Sequence, residues 1–249
     1  MPGADLTKTD ERLIKSLLEA YANFQPQIRL FHQQLLTALE NSSGLNSTIH
    51  SMRSRLKDPN HLSDKLARKV RDCKQKHEPF GITPDNLLVK VNDLIGVRLL
   101  HLYTRQITEI DQALRAVFDE GKYDLLEGPF ARTWDDESRQ FFKDCKIETQ
   151  ESPSMYTSVH YVIGSASRTT VTAEIQVRTL MEEVWGEVDH TMNYPHPIDN
   201  VACREQLKVL ARVTSSASRL VDSIFATVDD HKSRPSKNEK AAARGARAR

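Results

Sequence analysis

Long apolar runs are missing from this chain, and so are glycine-rich loops and clustered cysteines. No stretch approaches the roughly 18 apolar residues that a membrane span requires, so a helical membrane protein is excluded at this level. The opening residues, "MPGADLTKTDERLIKSLLEA", have no basic segment followed by an apolar one, and no secretory leader is expected. Cys73, Cys145 and Cys203 are odd in number, far apart and outside any CxxC pattern. That spacing argues for isolated thiols in a reducing cytoplasm rather than a disulfide framework or a structural metal site. Nine glycines in 249 residues form neither a GxGxxG nor a Walker-type loop, so the common dinucleotide and P-loop folds find no support.

What is present describes a soluble globular chain: 39% apolar and 28% charged residues. The net charge of +1 conceals an asymmetry. From Lys232 to Arg249 seven Lys and Arg stand against one Glu, a local charge of +6 that leaves −5 for everything before it. This tail has no large apolar residue and is expected to be disordered, with a charge suited to RNA (tRNA included), DNA or an anionic surface, or to a merely solubilising extension.

Hydrophobic spacing organises the rest. Residues 8–41 repeat apolar side chains every three or four positions, with Pro26 expected to split the helix. Residues 48–57 read as a short strand and 61–76 as a helix. The segment 87–102, rich in Val, Ile and Leu, reads as a buried strand starting near Val91 or Asp93. A helix is expected over 105–120, a less regular segment over 122–150 with a short helix at 136–144, and strands over 158–164 and 169–179. An acidic helix follows, ended by Pro195 and Pro197. A last helix at 200–229 is expected to bury Leu210, Val213, Ala217, Leu220, Ile224 and Val228. Strands interleaved with helices predict an α/β (α+β) core. The expected divisions are a helical region at 1–47, a core domain at 48–195, a C-terminal helix at 196–231 and a basic tail at 232–249.

Three groups of residues carry chemistry. Asp93, at the entry to an apolar strand, and Glu174, within another, are carboxylates where carboxylates are uncommon unless paired or metal-bound. Two of them on neighbouring strands suit a magnesium ion shared with a phosphate, while Arg98 and Arg178 offer the simpler role of counterions. The segment 50–76 holds nine Lys and Arg. Arg55 and Lys57 share a strand face, and Lys65, Arg68 and Lys69 share a helix side, an arrangement suited to a triphosphate or to a solvated basic face. In "SPSMYTSVHYVIG" Tyr156, Ser158 and His160 alternate onto one face, where a Tyr can stack on a nucleobase.

In order along the chain, "RLK...HLSDKLARK", "VNDLIGVRLL", "MYTSVHYVI", "AEIQVRT" and "WGEVDHTMNY" resemble the synthetase domain of the RelA/SpoT alarmone family, particularly its small single-domain members. The resemblance covers about 48–195. It implies a nucleotidyltransferase-like mixed sheet surrounded by helices, and transfer of the β,γ-pyrophosphate of ATP to the 3′-hydroxyl of GDP or GTP. It makes Asp93 and Glu174 the magnesium-binding and catalytic carboxylates, with Arg55, Lys57 and Lys65 binding ATP. Tyr156, His160, Gln176 and Arg178 would bind the acceptor. It also implies cytoplasmic localisation and a homo-oligomer, and residues 1–47 do not read as a hydrolase region, so hydrolysis of the alarmone by this chain is not expected. Three positions depart from the family pattern: Met155 replaces a common Gly, Ser152 a common Lys and His61 a Ser. Two further readings stay open at this level: a toxin-like relative acting on an adenine nucleotide or the 3′ end of tRNA, and a silent nucleotide-binding module.

Overall fold

The computed structural model describes residues 6–152, 154–193 and 198–233. The expected basic tail beyond Ser233 and the helix-ending Pro195 and Pro197 lie outside these residues. The chain forms two compact units: residues up to His101 with Ile107–Arg178, and Leu102–Gln106 with the residues from Thr179 onward.

The first unit is built on a six-stranded sheet in the order β1-β2-β6-β5-β3-β4. Its strands are β1 (Ser51–Leu56), β2 (Ile95–His101), β3 (Asp124–Thr133), β4 (Glu148–Glu151), β5 (Ser158–Gly164) and β6 (Thr172–Thr179). β1 runs antiparallel to β2, β5 antiparallel to both β3 and β6, and β4 parallel to β3, so the sheet is mixed. The α/β class expected from the sequence is therefore observed. β5 is buried along its whole length and β6 nearly so, as expected for strands covered on both faces.

The expected first helix is two, α1 (Lys8–Asn23) and α2 (Gln25–Glu40), with Pro26 in the first turn of α2, where its missing N–H costs nothing. After α3 (Ser43–Thr48) and β1, Asp58 caps α4 (Pro59–Lys76) by accepting from the amides of Asn60 and His61. α5 (Leu87–Lys90) precedes β2, and α6 (Ile107–Gly121) and α7 (Asp136–Asp144) complete the unit's helices. Leu17, Ile28, Leu35, Leu62 and Leu66 join Leu94, Ile95, Tyr161, Ala173 and Ile175 in one apolar core.

Several elements differ from expectation. Residues 87–90 are a helical turn, so the apolar strand starts at Ile95 and Asp93 lies in the loop ahead of it. β3 and β4 form where an irregular segment was expected. Gly128 and Pro129, residue types that disfavour a regular ladder, sit in the irregular stretch of the β3–β5 register. The peptide between them is cis and Gly128 has φ +91°. A Cβ there would stand 2.3 Å from the carbonyl oxygen of His160, so only glycine lets β3 approach β5 at this point.

The second unit holds α8 (Leu180–Asn193) and α9 (Val201–Ser233), which pack on each other. α9 does not bury its large apolar stripe. Ala211, Thr214, Ser215 and Ser218 are buried, while Val213, Leu220, Ile224 and Val228 are exposed. Small side chains let helix axes approach closely. Thr179 and Ser218 meet through their hydroxyls at 3.2 Å, and the Trp185 indole donates to the carbonyl of Leu207. Among the described residues no helix is long and apolar enough to cross a membrane.

Tyr21 links the N-terminal helices to the end of β1. It is 2% exposed, and its hydroxyl donates to the carbonyl of Lys57. Tyr21→Phe leaves that carbonyl without this donor and is expected to cost about 1–2 kcal/mol in urea-induced unfolding. An unchanged urea midpoint would show that water replaces the hydroxyl at no cost.

Candidate active site

β2 and β6 are neighbours in the sheet, and each brings a carboxylate to the same region. In the loop ahead of β2, Asp93 accepts from the Lys57 ammonium at 2.8 Å through Oδ2, and from Lys65 at 2.5 Å through Oδ1. Lys57 is fixed through its backbone, since its N–H donates to the carbonyl of Leu94 and its own carbonyl accepts from Tyr21. Lys65 stands on α4, about two turns beyond its capped start. Burial acts to raise the Asp93 carboxyl, but Lys65 and Lys57 overcome it and hold the group at about 2.

Alternation along β6 puts Glu174, Gln176 and Arg178 on one face. Register pairs Glu174 with Val162 and Gln176 with His160 of β5. Glu174 Oε1 lies 2.9 Å from His160 Nδ1, and Oε2 accepts from Gln176 Nε2 at 3.2 Å. Burial raises the Glu174 carboxyl and the charge of Asp93 adds to that. The hydrogen bonds from His160 and Gln176 help to outweigh both, so the group stays below its ordinary value. The Asp93 charge acts on Glu174, which places the pair in one electrostatic site.

Tyr156 closes one side. Its hydroxyl donates to Gln176 Oε1 at 3.4 Å, and the Arg178 guanidinium lies 5.4 Å from the ring centroid, within cation–π range. Burial pushes the phenol above its ordinary range. Met155, beside it, has φ +53°. A left-handed backbone costs a non-glycine residue about 1–2 kcal/mol, which explains why glycine suits this position. Ser152 is buried, and its hydroxyl accepts from the Tyr156 amide at 3.4 Å. A turn-forming hydroxyl thus occupies the place where a cation is common. His61 is exposed in the first turn of α4.

The basic cluster of 50–76 divides by role. Lys57 and Lys65 face Asp93, and Lys74 pairs instead with Asp10, tying α4 to α1. Lys69 and Lys76 line a separate cleft of about 370 Å³ with Cys73, Phe80 and Lys90. Arg55 is exposed, and its side chain lies over Gly96 of β2, where a Cβ would stand 3.7 Å from Arg55 Cγ. Two features went unread in the sequence. Arg53 and Arg98 are register partners across β1 and β2, a juxtaposition of like charge that favours an anion nearby. Phe130 of β3 stacks parallel to His160 at 5.3 Å. Only the strand pairing brings these residues together.

The donor set suits magnesium. Two anionic carboxylates share one electrostatic site, and magnesium is bound by one or two carboxylates completed by substrate phosphates. Among the described residues no group of three or more His, Cys, Asp or Glu is gathered as an all-protein metal cage.

A family model described as a region found in RelA / SpoT proteins matches residues 54–199, more than half of the chain. No curated protein matches it by sequence. Among solved structures, the small alarmone synthetase 1 from Bacillus subtilis superposes with a TM-score of 0.61 at 18% identity, over 84% of this chain and 98% of that one. The same protein bound to its product pppGpp gives 0.59 at 18%, over 85% and 99%. A GTP pyrophosphokinase family protein from Streptococcus pneumoniae gives 0.55 at 19%, over 91% and 97%. At these identities the superpositions establish the fold.

The Asp93 ion pairs set an acid limit on stability. The folded carboxyl titrates at about 2, below the roughly 3.9 of an unfolded aspartate. The pairs therefore add stability above about pH 4, and that contribution disappears as the pH falls toward 2. Asp93→Asn is expected to flatten this part of the curve of urea midpoint against pH. An acid slope identical to that of the unaltered protein would mean that the lysines do not hold Asp93 in solution.

Proposed function

The chain belongs to the RelA/SpoT family, and from that premise we propose that it transfers the β,γ-pyrophosphate of ATP to the 3′-hydroxyl of GDP or GTP. The observation that carries this reading is the pair of carboxylates in one electrostatic site, Asp93 and Glu174, with Lys57 and Lys65 ion-paired to the first. Transfer to phosphorus asks little covalent work of a protein and much alignment and charge compensation.

In this reading Arg55, whose side chain lies over Gly96, supports the adenine. Lys57 and Lys65 exchange Asp93 for the triphosphate, which frees that carboxylate to face a cation. A magnesium ion held by Asp93 and Glu174 would neutralise charge on the phosphates. Tyr156 stacks on the acceptor base by the face opposite Arg178, and Gln176 and Arg178 steady the acceptor. Glu174 takes the proton of the 3′-hydroxyl as its oxygen bonds to the β-phosphorus, and the α–β bridging bond breaks to release AMP.

One observation favours a second acceptor class. Ser152 is buried and bonded to the loop backbone, so the acceptor side lacks a cation at that position. An adenine nucleotide or the 3′ end of tRNA is therefore the alternative acceptor.

The test offers γ-labelled ATP and magnesium with GDP, GTP, ADP, ATP or bulk tRNA. Label is expected on GDP or GTP and lost by at least about 1,000-fold in Glu174→Ala. Label on an adenine nucleotide or tRNA would move the protein to the alternative, and none on any acceptor would leave a binding module. Tyr156→Ala is expected to raise KM for the acceptor about tenfold or more, with KM for ATP little changed. Equal effects on both would remove its stacking role.

A further inference from the structure

His160 is 2% exposed, and its ring is enclosed by neighbours within the sheet. Its ring stacks parallel to Phe130, with centroids 5.3 Å apart and planes within 3°. The Tyr156 ring meets it edge-on at 6.0 Å. Its backbone is held as tightly, since its carbonyl faces Gly128, where any Cβ would stand at 2.3 Å. Within this packing Nδ1 lies 2.9 Å from Glu174 Oε1, and Nε2 is buried with no hydrogen-bond partner among the described residues.

An anionic carboxylate only accepts, so Nδ1 carries the hydrogen. The other oxygen, Oε2, is held by Gln176. Glu174 is thus fixed at both oxygens, by His160 on β5 and by Gln176 on its own strand, and those two are register partners of one another. A carboxylate that must meet a hydroxyl or a cation at a defined angle gains from such a clamp, because its torsions are set before substrate arrives.

We propose that His160 is a positioning residue for Glu174, acting through Nδ1, and not a ligand of the acceptor nucleotide. This assignment rests on the transfer reaction proposed above for its kinetic consequence, while the clamp itself is a property of the free protein.

The discriminating variants follow from atom positions. Asparagine places Nδ2 on the atom next to Cγ, where histidine has Nδ1, and glutamine sends its nitrogen one atom further. His160→Ala and His160→Gln are expected to lower kcat by about 10–100-fold. His160→Asn should recover most of that loss. KM for ATP and for the acceptor should stay within about twofold in all three. A mainly structural role would lower folded content without this Asn-over-Gln order, and circular dichroism with urea unfolding would detect it. A rise in acceptor KM at unchanged kcat would overturn the proposal by restoring His160 as an acceptor ligand.

Long-range nitrogen NMR of the imidazoles supplies a readout independent of turnover. The His160 ring is expected to show hydrogen on Nδ1, with a signal that moves in Glu174→Ala. Hydrogen on Nε2 alone in the neutral ring, or no response to Glu174→Ala, would overturn the clamp even in an active enzyme. The expected signal in a protein that transfers to no acceptor would uphold the clamp and sink the proposed reaction.

Discussion

Two buried carboxylates close enough for charge to act between them, one in the loop ahead of β2 and one within β6, are a liability, since burial and repulsion both favour protonation. This chain keeps both in the anionic range by different means. Asp93 is neutralised by two ammonium groups, and Glu174 is held by hydrogen bonds with His160 and Gln176. The difference has a functional meaning. Ammonium groups are mobile charges that a triphosphate can draw away, whereas the Glu174 partners are packed and stay in place. The rest of the first unit serves to deliver these groups to one region.

That delivery depends on backbone fixation. Lys57 lies just beyond β1, yet its main chain is pinned by Leu94 on one side and Tyr21 on the other, so the N-terminal helices contribute to the site without placing a functional group in it. β3 plays a similar part. Gly128 lets it approach β5, and Phe130 then covers the imidazole that orients Glu174. Apolar packing sets the position of a polar group that itself has few contacts. In the second unit the same economy takes another form, because α9 packs through Ala, Ser and Thr and leaves its Val, Leu and Ile stripe in solvent.

Much of the core was legible because periodicity reports burial directly. β5 occupies the range expected of it, 158–164, and α7 the expected 136–144. Misreadings came where local chemistry conflicts with tertiary context. Gly128 and Pro129 break strands in isolation, yet the irregular register between β3 and β5 accommodates both. The apolar run at 87–102 conceals a helical turn, because continuous hydrophobicity does not distinguish a buried helix from a buried strand. In α9 spacing identified a helix face correctly, but not which face would be covered.

The sequence by itself determined the composition of the site: two carboxylates, a basic strand and helix, and a Tyr-x-Ser-x-His strand, each with a local pattern that limits its backbone form. Tertiary structure decided the partnerships. Asp93 meets Lys57 and Lys65 rather than an arginine, Lys74 is spent on Asp10, and His160 meets Glu174 rather than solvent. The physical reason is range. Periodicity and propensity act over a few residues, while charge pairing and ring stacking act through space between strands whose order, β1-β2-β6-β5-β3-β4, is not the order of the chain.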